Sequence, residues 1–378
     1  MADPFLYERV YDYLVEEIRR ENLKEGDRVP SEKELAERFG VSRITSKRAL
    51  HMLAEAGLLH RRQGKGTFVA KDARRRLDAL STRTGSARKG CLGLVLPDAS
   101  EAYGLELLCA IEERCAELGY HLVLRRTHDR QEVEEQAIQA LVGDGVVDGL
   151  IVFPVHGEFY NASLVRLVLD RAPLVLVDRH LPGIPACAVH TDNVAAAHAL
   201  TTYVVGQGHE QLAFVSPPTE NTSSIEERLE GYASALRERG LSASALRRFT
   251  DIHSTLPKGG VPETTDRAAL RAFVEREPEV TGFVACEYSI AVLLWEVLTE
   301  LELDGSRYTI ACFDSPPPSS RAPVFPHIRQ DQRAMGRVAV DLLVAQLAGD
   351  EVPLRTVVPF TLVEPSPAYD SAPPLARR

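Results

Sequence analysis

The feature that most constrains this 378-residue chain is a capped helix pair with a glycine-tipped hairpin, packed into residues 31–69. Ser31 and Glu34 form an S-x-x-E capping box directly after Pro30, which predicts a helix start at that point. Leu35 and Phe39, four apart, give that helix a buried face. Gly40 ends it, and Ser42 is placed to cap a second helix. The second helix is expected to bury Ile44, Leu50 and Leu53. It turns Arg43, Thr45, Lys47 and Arg48 outward or toward its N-terminus. Two capped helices joined by a short turn make a helix-turn-helix. Residues 58–62 and 67–69 then read as two short strands around a Gly64-Lys65-Gly66 tip, a hairpin or wing.

Charge sharpens the reading. Between residues 38 and 76 eleven Lys/Arg stand against Glu55 and Asp72, a local balance of +9 in a chain of net charge −10. A charge run alone is usually a solvated face. Here Arg61, Arg62 and Lys65 fall on a hairpin whose glycines allow close backbone approach, beside a basic capped helix. That coincidence is the footprint of a nucleic-acid-binding module attached to an acidic body.

Residues 5–70 resemble the winged helix-turn-helix of the gluconate-repressor (GntR) family. The matching residues are Pro30-Ser31-Glu32, Leu35-Ala36, Val41-Ser42-Arg43, Ala49-Leu50, Gly57 and the run from Gly64 to Val69. The resemblance implies a recognition helix in the major groove of double-stranded operator DNA and a wing at the minor groove. By position, Lys33, Ser42, Arg43 and Lys47 match the family's DNA-contacting places, and Gly64 and Lys65 its wing tip. Thr45 shares their face of the helix. Lys47 stands where the family usually has arginine. Lysine lacks the bidentate fork, so this site suits a phosphate better than a base edge. Arg43 is the expected base reader.

Length and composition bound the remainder. The chain is long enough for two to three domains by the usual prior. No apolar run reaches the roughly 18–20 residues of a membrane span. The N-terminus has neither the basic start nor the apolar segment of a signal peptide, so a cytoplasmic location is expected. Six scattered cysteines without a C-x-x-C read as reduced, buried small hydrophobes. No histidine spacing suggests a metal, and no cofactor motif is present. Gly64-Lys65-Gly66-Thr67 is not a phosphate-binding P-loop, because the Gly-Lys-Ser/Thr order is interrupted. Glu112-Glu113 and Glu134-Glu135 read as solvated helix charge rather than as an acid–base pair. No Ser-His-Asp set stands out, so an enzyme is not expected.

The expected organisation is a winged head over residues 1–70, a polar and basic linker over 71–89, a body over 90–365 and a tail over 366–378. From residue 91 apolar strands alternate with helical spacing. Strands are expected at 91–96, 121–124, 149–153 and 174–177. A second run is expected at 212–215, 282–286, 308–313, 327–329 and 355–359. This rhythm predicts parallel sheets covered on both faces, and two half-runs of roughly five units predict two doubly wound α/β lobes. Ligands of such sheets bind beyond the carboxyl ends of the strands. The loops there hold residues 98–103, Phe153-Pro154, Asp178-Arg179, Arg228, Glu287-Tyr288 and Asp314. Aromatics beside planar charged groups suit a sugar, which offers apolar C–H faces and hydroxyls for bidentate bonds. Trp295, beside Leu294 and Leu298, is expected in the core.

Residues 90–365 look like the effector domain of the lactose/galactose-repressor (LacI/GalR) family, itself similar to periplasmic sugar-binding proteins. The matching stretches include 93–98, 148–151, 173–178, 191–193, 206–215, 228–232 and 329–336. The implied effector contacts are Tyr103, Asp178, Arg179, Arg228 and Asp314. The family usually shows Asn-Asp where this chain has Glu287-Tyr288, so Glu287 is a candidate contact of altered chemistry. A head of the first family on a sensor of the second is similar to the arabinose-operon repressors. The expected protein is an effector-responsive regulator, most often a repressor, dimeric on a two-fold operator. The rivals are a sugar-binding protein and a sugar-modifying enzyme without operator specificity.

Overall fold

The structure, a computed structural model, describes residues 6–20, 22–41, 43–62, 66–75, 77, 90–143, 145–158, 161–241, 246–255, 262–314, 316 and 324–364. It divides into two units, Met1–Arg88 and Lys89–Arg378.

In the first unit, helices α1 (Leu6–Arg19), α2 (Glu32–Phe39) and α3 (Arg43–Glu55) precede strands β1 (Leu59–Arg62) and β2 (Gly66–Val69). The capping box forms as the spacing predicts: the Glu34 amide donates to Ser31 Oγ at 3.3 Å, and the Ser31 amide donates to the Glu34 carboxylate at 2.6 Å. Gly40 closes α2 at φ 65°, a left-handed backbone that a side chain would strain. Ser46, fully buried, donates its hydroxyl to the Glu32 carbonyl at 2.7 Å and so pins α3 across the start of α2. Leu35, Leu50 and Leu53 join Val10, Leu14 and Ile18 of α1 in one core. Ala73 and Leu77 belong to that core as well, so head packing continues past residue 70 into the stretch that reads as linker. The hairpin is antiparallel with Leu59 opposite Val69. Residues 27–29 line its other edge, the Val29 amide donating to Thr67 O and the Val69 amide to Asp27 O, each at 2.9 Å.

The second unit holds two six-stranded sheets. Strands β3 (Cys91–Leu96), β4 (His121–Arg126), β5 (Gly149–Val152), β6 (Leu174–Val177), β7 (Cys187–Thr191) and β13 (Arg355–Val358) form the first, in the order β4-β3-β5-β6-β7-β13 and parallel throughout. Strands β8 (Leu212–Val215), β9 (Leu246–Phe249), β10 (Gly282–Ala285), β11 (Thr309–Phe313), β12 (His327–Gln330) and β14 (Phe360–Val363) form the second. Its order is β9-β8-β10-β11-β12-β14, with β14 antiparallel. Central strands such as β5, β6, β8 and β10 are buried along their whole length, which is why they read as unbroken apolar runs.

Helices α4 (Leu105–Leu118), α5 (Gln131–Ile138), α6 (Ala162–Leu169) and α11 (Gln332–Ala348) cover the first sheet. Helices α7 (Asn193–Gly206), α8 (Ser223–Glu238), α9 (Glu263–Arg276) and α10 (Tyr288–Glu300) cover the second. The lobes are therefore not two consecutive half-runs. After β12 the chain returns to the first lobe for α11 and β13, then passes back for β14. Three crossings result, at residues 191–193, 330–332 and 358–360. Three strands, β7, β9 and β14, were not expected from the apolar rhythm. All six cysteines are free; four are buried as expected, whereas Cys109 is exposed and Cys91 half-buried. Trp295 packs, half-buried, against the second-lobe core.

Candidate functional site

Between the lobes of the second unit lies a cavity of about 430 Å³, and the structure brings all six body residues singled out by sequence to its wall. They arrive from both sheets. Asp178 follows β6 and Asp314 follows β11, at φ 68° and 72°. These left-handed conformations are uncommon outside glycine and are tolerated best by Asp and Asn. The two lobes thus present the same turn chemistry to one space.

Tyr103, ahead of α4, donates its hydroxyl to Asp178 Oδ1. Its ring meets Phe153 edge-on at 6.0 Å. Burial and the Asp178 charge push the Tyr103 hydroxyl well above its ordinary range. Arg179 donates from Nη1 to the Pro154 carbonyl at 2.9 Å, while its buried Nε finds no hydrogen-bond partner among the described residues. From the other lobe, buried Arg228 sits 3.9 Å over the Phe313 ring. It donates to Asn193 Oδ1 at 2.9 Å and to the Cys286 carbonyl at 2.8 Å. Asp314 accepts from Gln330 Nε2 at 2.8 Å. Burial raises its carboxyl to about 7 against the opposing pull of Arg228. Glu287, half-buried, accepts from the Ser289 hydroxyl at 3.1 Å, and burial raises it too.

These bonds tie the cavity wall to the lobe crossings. Asn193 and Gln330 sit at the first and second crossings, and each bonds a charged group of the wall. Gln332, at the second crossing, accepts from the Gly104 amide at 2.8 Å beside Tyr103. Arg228 and Asp314 are thus bonded directly to residues of the segments that join the lobes.

Several wall residues escaped the sequence reading. Asp129 follows β4, which runs two residues past the apolar stretch 121–124. Thr255 follows β9, whose two arginines give no apolar strand signal. Applying the strand-end rule to both strands would have found them. Gln330 carries no such signal, since its place depends on the crossing.

In the head, Arg43 and Lys47 are exposed on α3, and Thr45 is half-buried rather than outward. Lys33 lies 3.8 Å from Glu37, and Arg61 of the wing lies 3.5 Å from Glu32. Exposed pairs of this kind contribute about 0–1 kcal/mol, so phosphate can displace the carboxylate at little cost. Ser42, Gly64, Lys65 and the side chain of Ile44 lie outside the described residues. No helix of the described residues is long and apolar enough to cross a membrane.

The model of the family "Bacterial regulatory proteins, gntR family" matches residues 6–69, and that of the "Periplasmic binding protein-like domain" matches residues 201–365. The arabinose metabolism transcriptional repressor of Halalkalibacterium halodurans is 26% identical over 78% of this chain and 77% of its own length. The probable opine utilization operon repressor of Rhizobium rhizogenes is 30% identical over 46% of this chain and 88% of its own length. The chain belongs to the GntR-headed, LacI/GalR-type transcriptional repressors. The transcription regulator CcpA of Lactococcus lactis shares the fold of this GntR-headed repressor. It superposes with a TM-score of 0.62 over 73% of this chain and 98% of its own, at 18% identity. Like its relatives, this GntR-headed repressor is a DNA-binding regulator and not an enzyme.

Proposed function

We propose that the chain is an operator-binding repressor inside the cell whose release from DNA is governed by a carbohydrate held between the lobes of its second unit. Tyr103, Asp178, Arg179, Arg228, Glu287 and Asp314 are the effector contacts in this reading. Lys33, Ser42, Arg43, Thr45, Lys47, Gly64 and Lys65 are the DNA contacts. The observation that carries it is the convergence of the six body residues on one cavity. That cavity's polar wall is wired to the crossings and retains buried groups with no hydrogen-bond partner among the described residues. The relative named for arabinose metabolism supports a sugar as the effector class.

A single wing-and-helix head makes few base contacts, so the working form is a homodimer on a two-fold operator. The effector alters the angle between lobes and with it the fit of paired heads to half-sites. Operator DNA and effector must then weaken each other's binding by the same factor.

The test combines two measurements on full-length protein. Electrophoretic mobility shift with the DNA upstream of its own gene should show specific binding that a sugar from a panel of pentoses, hexoses and disaccharides relieves. Thermal shift with the same sugar should show stabilisation without turnover. Binding indifferent to DNA sequence, or catalytic consumption of the sugar, refutes the reading.

A further inference from the structure

The cavity wall has an uneven charge balance. Five carboxylates line it, Asp98, Asp129, Asp178, Glu287 and Asp314, against the two guanidiniums of Arg179 and Arg228 among the described residues. Both guanidiniums are partly committed, to the Pro154 carbonyl and to Asn193 with the Cys286 carbonyl. The carboxylates fare unequally. Asp98 is paired outside the cavity with Arg126 at 2.7 Å, and Asp178 is held by Tyr103 and lies 3.7 Å from Arg179. Glu287, Asp129 and Asp314 form no ion pair among the described residues. Glu287 takes one hydroxyl, Asp129 the His156 amide at 2.7 Å, and Asp314 the Gln330 amide.

Asp129 Oδ2 and Gln330 Oε1 are acceptors on side chains 2% and 4% exposed, and neither has a hydrogen-bond partner among the described residues; the buried donor Arg179 Nε has none there either. An ionised carboxylate can only accept, so Glu287 and its neighbours call for N–H or O–H groups, while Arg179 Nε calls for an acceptor; a hydroxyl can serve as either. Among the described residues no group of His, Cys, Asp and Glu could hold a metal ion, so the carboxylates are not arranged as a cation cage.

We infer that the cavity takes a donor-rich carbohydrate with no anionic group, a neutral sugar or an amino sugar, and that Glu287 excludes sugar acids and sugar phosphates. This rests on the proposed carbohydrate site and narrows its ligand class. A phosphate or carboxylate brought near Glu287 meets a wall on which five carboxylates stand against two guanidiniums, so like charge opposes it. It would also bring acceptors to acceptors. Hydroxyls and ammonium groups can instead donate to Glu287 and to the other carboxylates of the wall. Burial already holds the Glu287 and Asp314 carboxyls above their ordinary range, which marks the strain that negative charge carries here.

The test is calorimetric titration of the full-length protein with four groups of probes. L-arabinose, D-galactose, D-glucose and cellobiose are neutral; D-glucosamine is cationic. D-gluconate and D-galacturonate are acids, and glucose 6-phosphate is the phosphate. Saturable binding is expected from a neutral or amino sugar, with its acidic or phosphorylated counterpart weaker by about a hundredfold, the scale of a like-charge contact. Glu287→Gln is expected to narrow that gap by about tenfold, and Asp129→Asn, on the other lobe, to act in the same direction. An acid or phosphate binding more tightly than its neutral parent overturns the inference while leaving the carbohydrate site standing. A gap unchanged in both variants, with the neutral sugar still bound, removes the role given to the carboxylates. Silence from every probe overturns the inference and the carbohydrate reading beneath it.

Discussion

Ser223 donates both its amide, at 2.6 Å, and its hydroxyl, at 2.7 Å, to Glu158 Oε1 across the seam between the lobes. Ser223 is the first residue of α8, so the carboxylate sits at a helix N-terminus, where negative charge is favoured. The seam has other members. The His180 amide donates to Ser223 Oγ at 3.0 Å, the Gly157 amide donates to Thr222 Oγ1 at 3.0 Å, and His180 Nε2 lies 3.0 Å from Glu227. Neither Glu158 nor Ser223 lines the cavity. These contacts therefore join the two lobes without involving the Glu158 or Ser223 side chain in the cavity wall.

Glu158→Ala should therefore weaken effector binding without touching an effector contact. Losing buried hydrogen bonds to a charged group costs about 1–3 kcal/mol. The closed arrangement should be disfavoured by that amount, and the effector Kd raised by roughly tenfold or more. Calorimetry on wild type and variant checks this. An unchanged Kd, with the variant folded by circular dichroism, means the seam does not bias closure.

Arg43→Ala addresses the other end of the molecule. Arg43 is exposed at the start of α3, the position from which a recognition helix reads base edges. The substitution should cost about 1–3 kcal/mol on the operator and relax discrimination at one base pair. Competition against operators varied one position at a time measures it. An equal loss on every sequence would show a phosphate contact instead. Lys47→Ala is the comparison, expected to weaken binding to all DNA and to reduce the salt slope by about one.

Much of this was legible in the sequence, for physical reasons that also explain the gaps. Strands β3, β6 and β8 are central, buried on both faces, and therefore announce themselves as apolar runs bounded by turns. β9 and β14 are sheet edges. Leu246–Phe249 carries two arginines, one of which pairs with Glu277 at 2.7 Å, so its pattern is that of a polar segment. β7 is buried along its length yet contains His190 and Thr191, which break the apolar signal. The return of α11 to the first lobe is a long-range packing decision: Met335, Ala339 and Leu343 fit beside Leu107 and Ile111, a match that no local periodicity encodes. The cavity wall followed the same division. Asp178, Glu287 and Asp314 were visible as charge just past recognised strands, whereas Asp129 and Thr255 followed strands whose ends were misplaced or unseen.

Asp314 supplies a pH dependence with a definite sign. Its carboxyl titrates near 7 in the folded protein against an ordinary value near 4, with Arg228, Asp178, Glu287 and Gln330 around it. Between those values the folded state holds more protons than the unfolded state. Stability of the ligand-free protein should therefore fall as pH rises from about 4 to 7, by at most about 1.4 kcal/mol per pH unit from this group. Buried Glu134, also raised to about 7, adds to the same trend. The decisive quantity is the difference between proteins. Asp314→Asn should flatten the Tm-against-pH curve between about pH 4 and 7 relative to wild type. Parallel curves would show that Asp314 titrates in the ordinary carboxylate range.

Gly231 tests whether the Arg228 site depends on helix spacing. A Cβ there would lie 2.2 Å from the Val194 carbonyl oxygen and 2.9 Å from Ala197 Cβ, and the carbonyl is backbone, with no rotamer to escape into. Arg228 stands one turn earlier on α8 and reaches Asn193 at the start of α7, so both features depend on the same close approach of the two helices. Gly231→Ala must push α8 away from α7, at a cost of about 1–3 kcal/mol. The shift should lengthen the Arg228–Asn193 bond and weaken effector binding together with stability. Gly206, at the end of α7, is the control. Nothing lies within 4 Å of its Cβ position, so Gly206→Ala should be neutral or stabilising by up to about 1 kcal/mol. Chemical denaturation and calorimetry on both variants read the two effects. A Gly231→Ala protein as stable and as responsive as wild type would show that α7 and α8 can separate without disturbing the wall of the cavity.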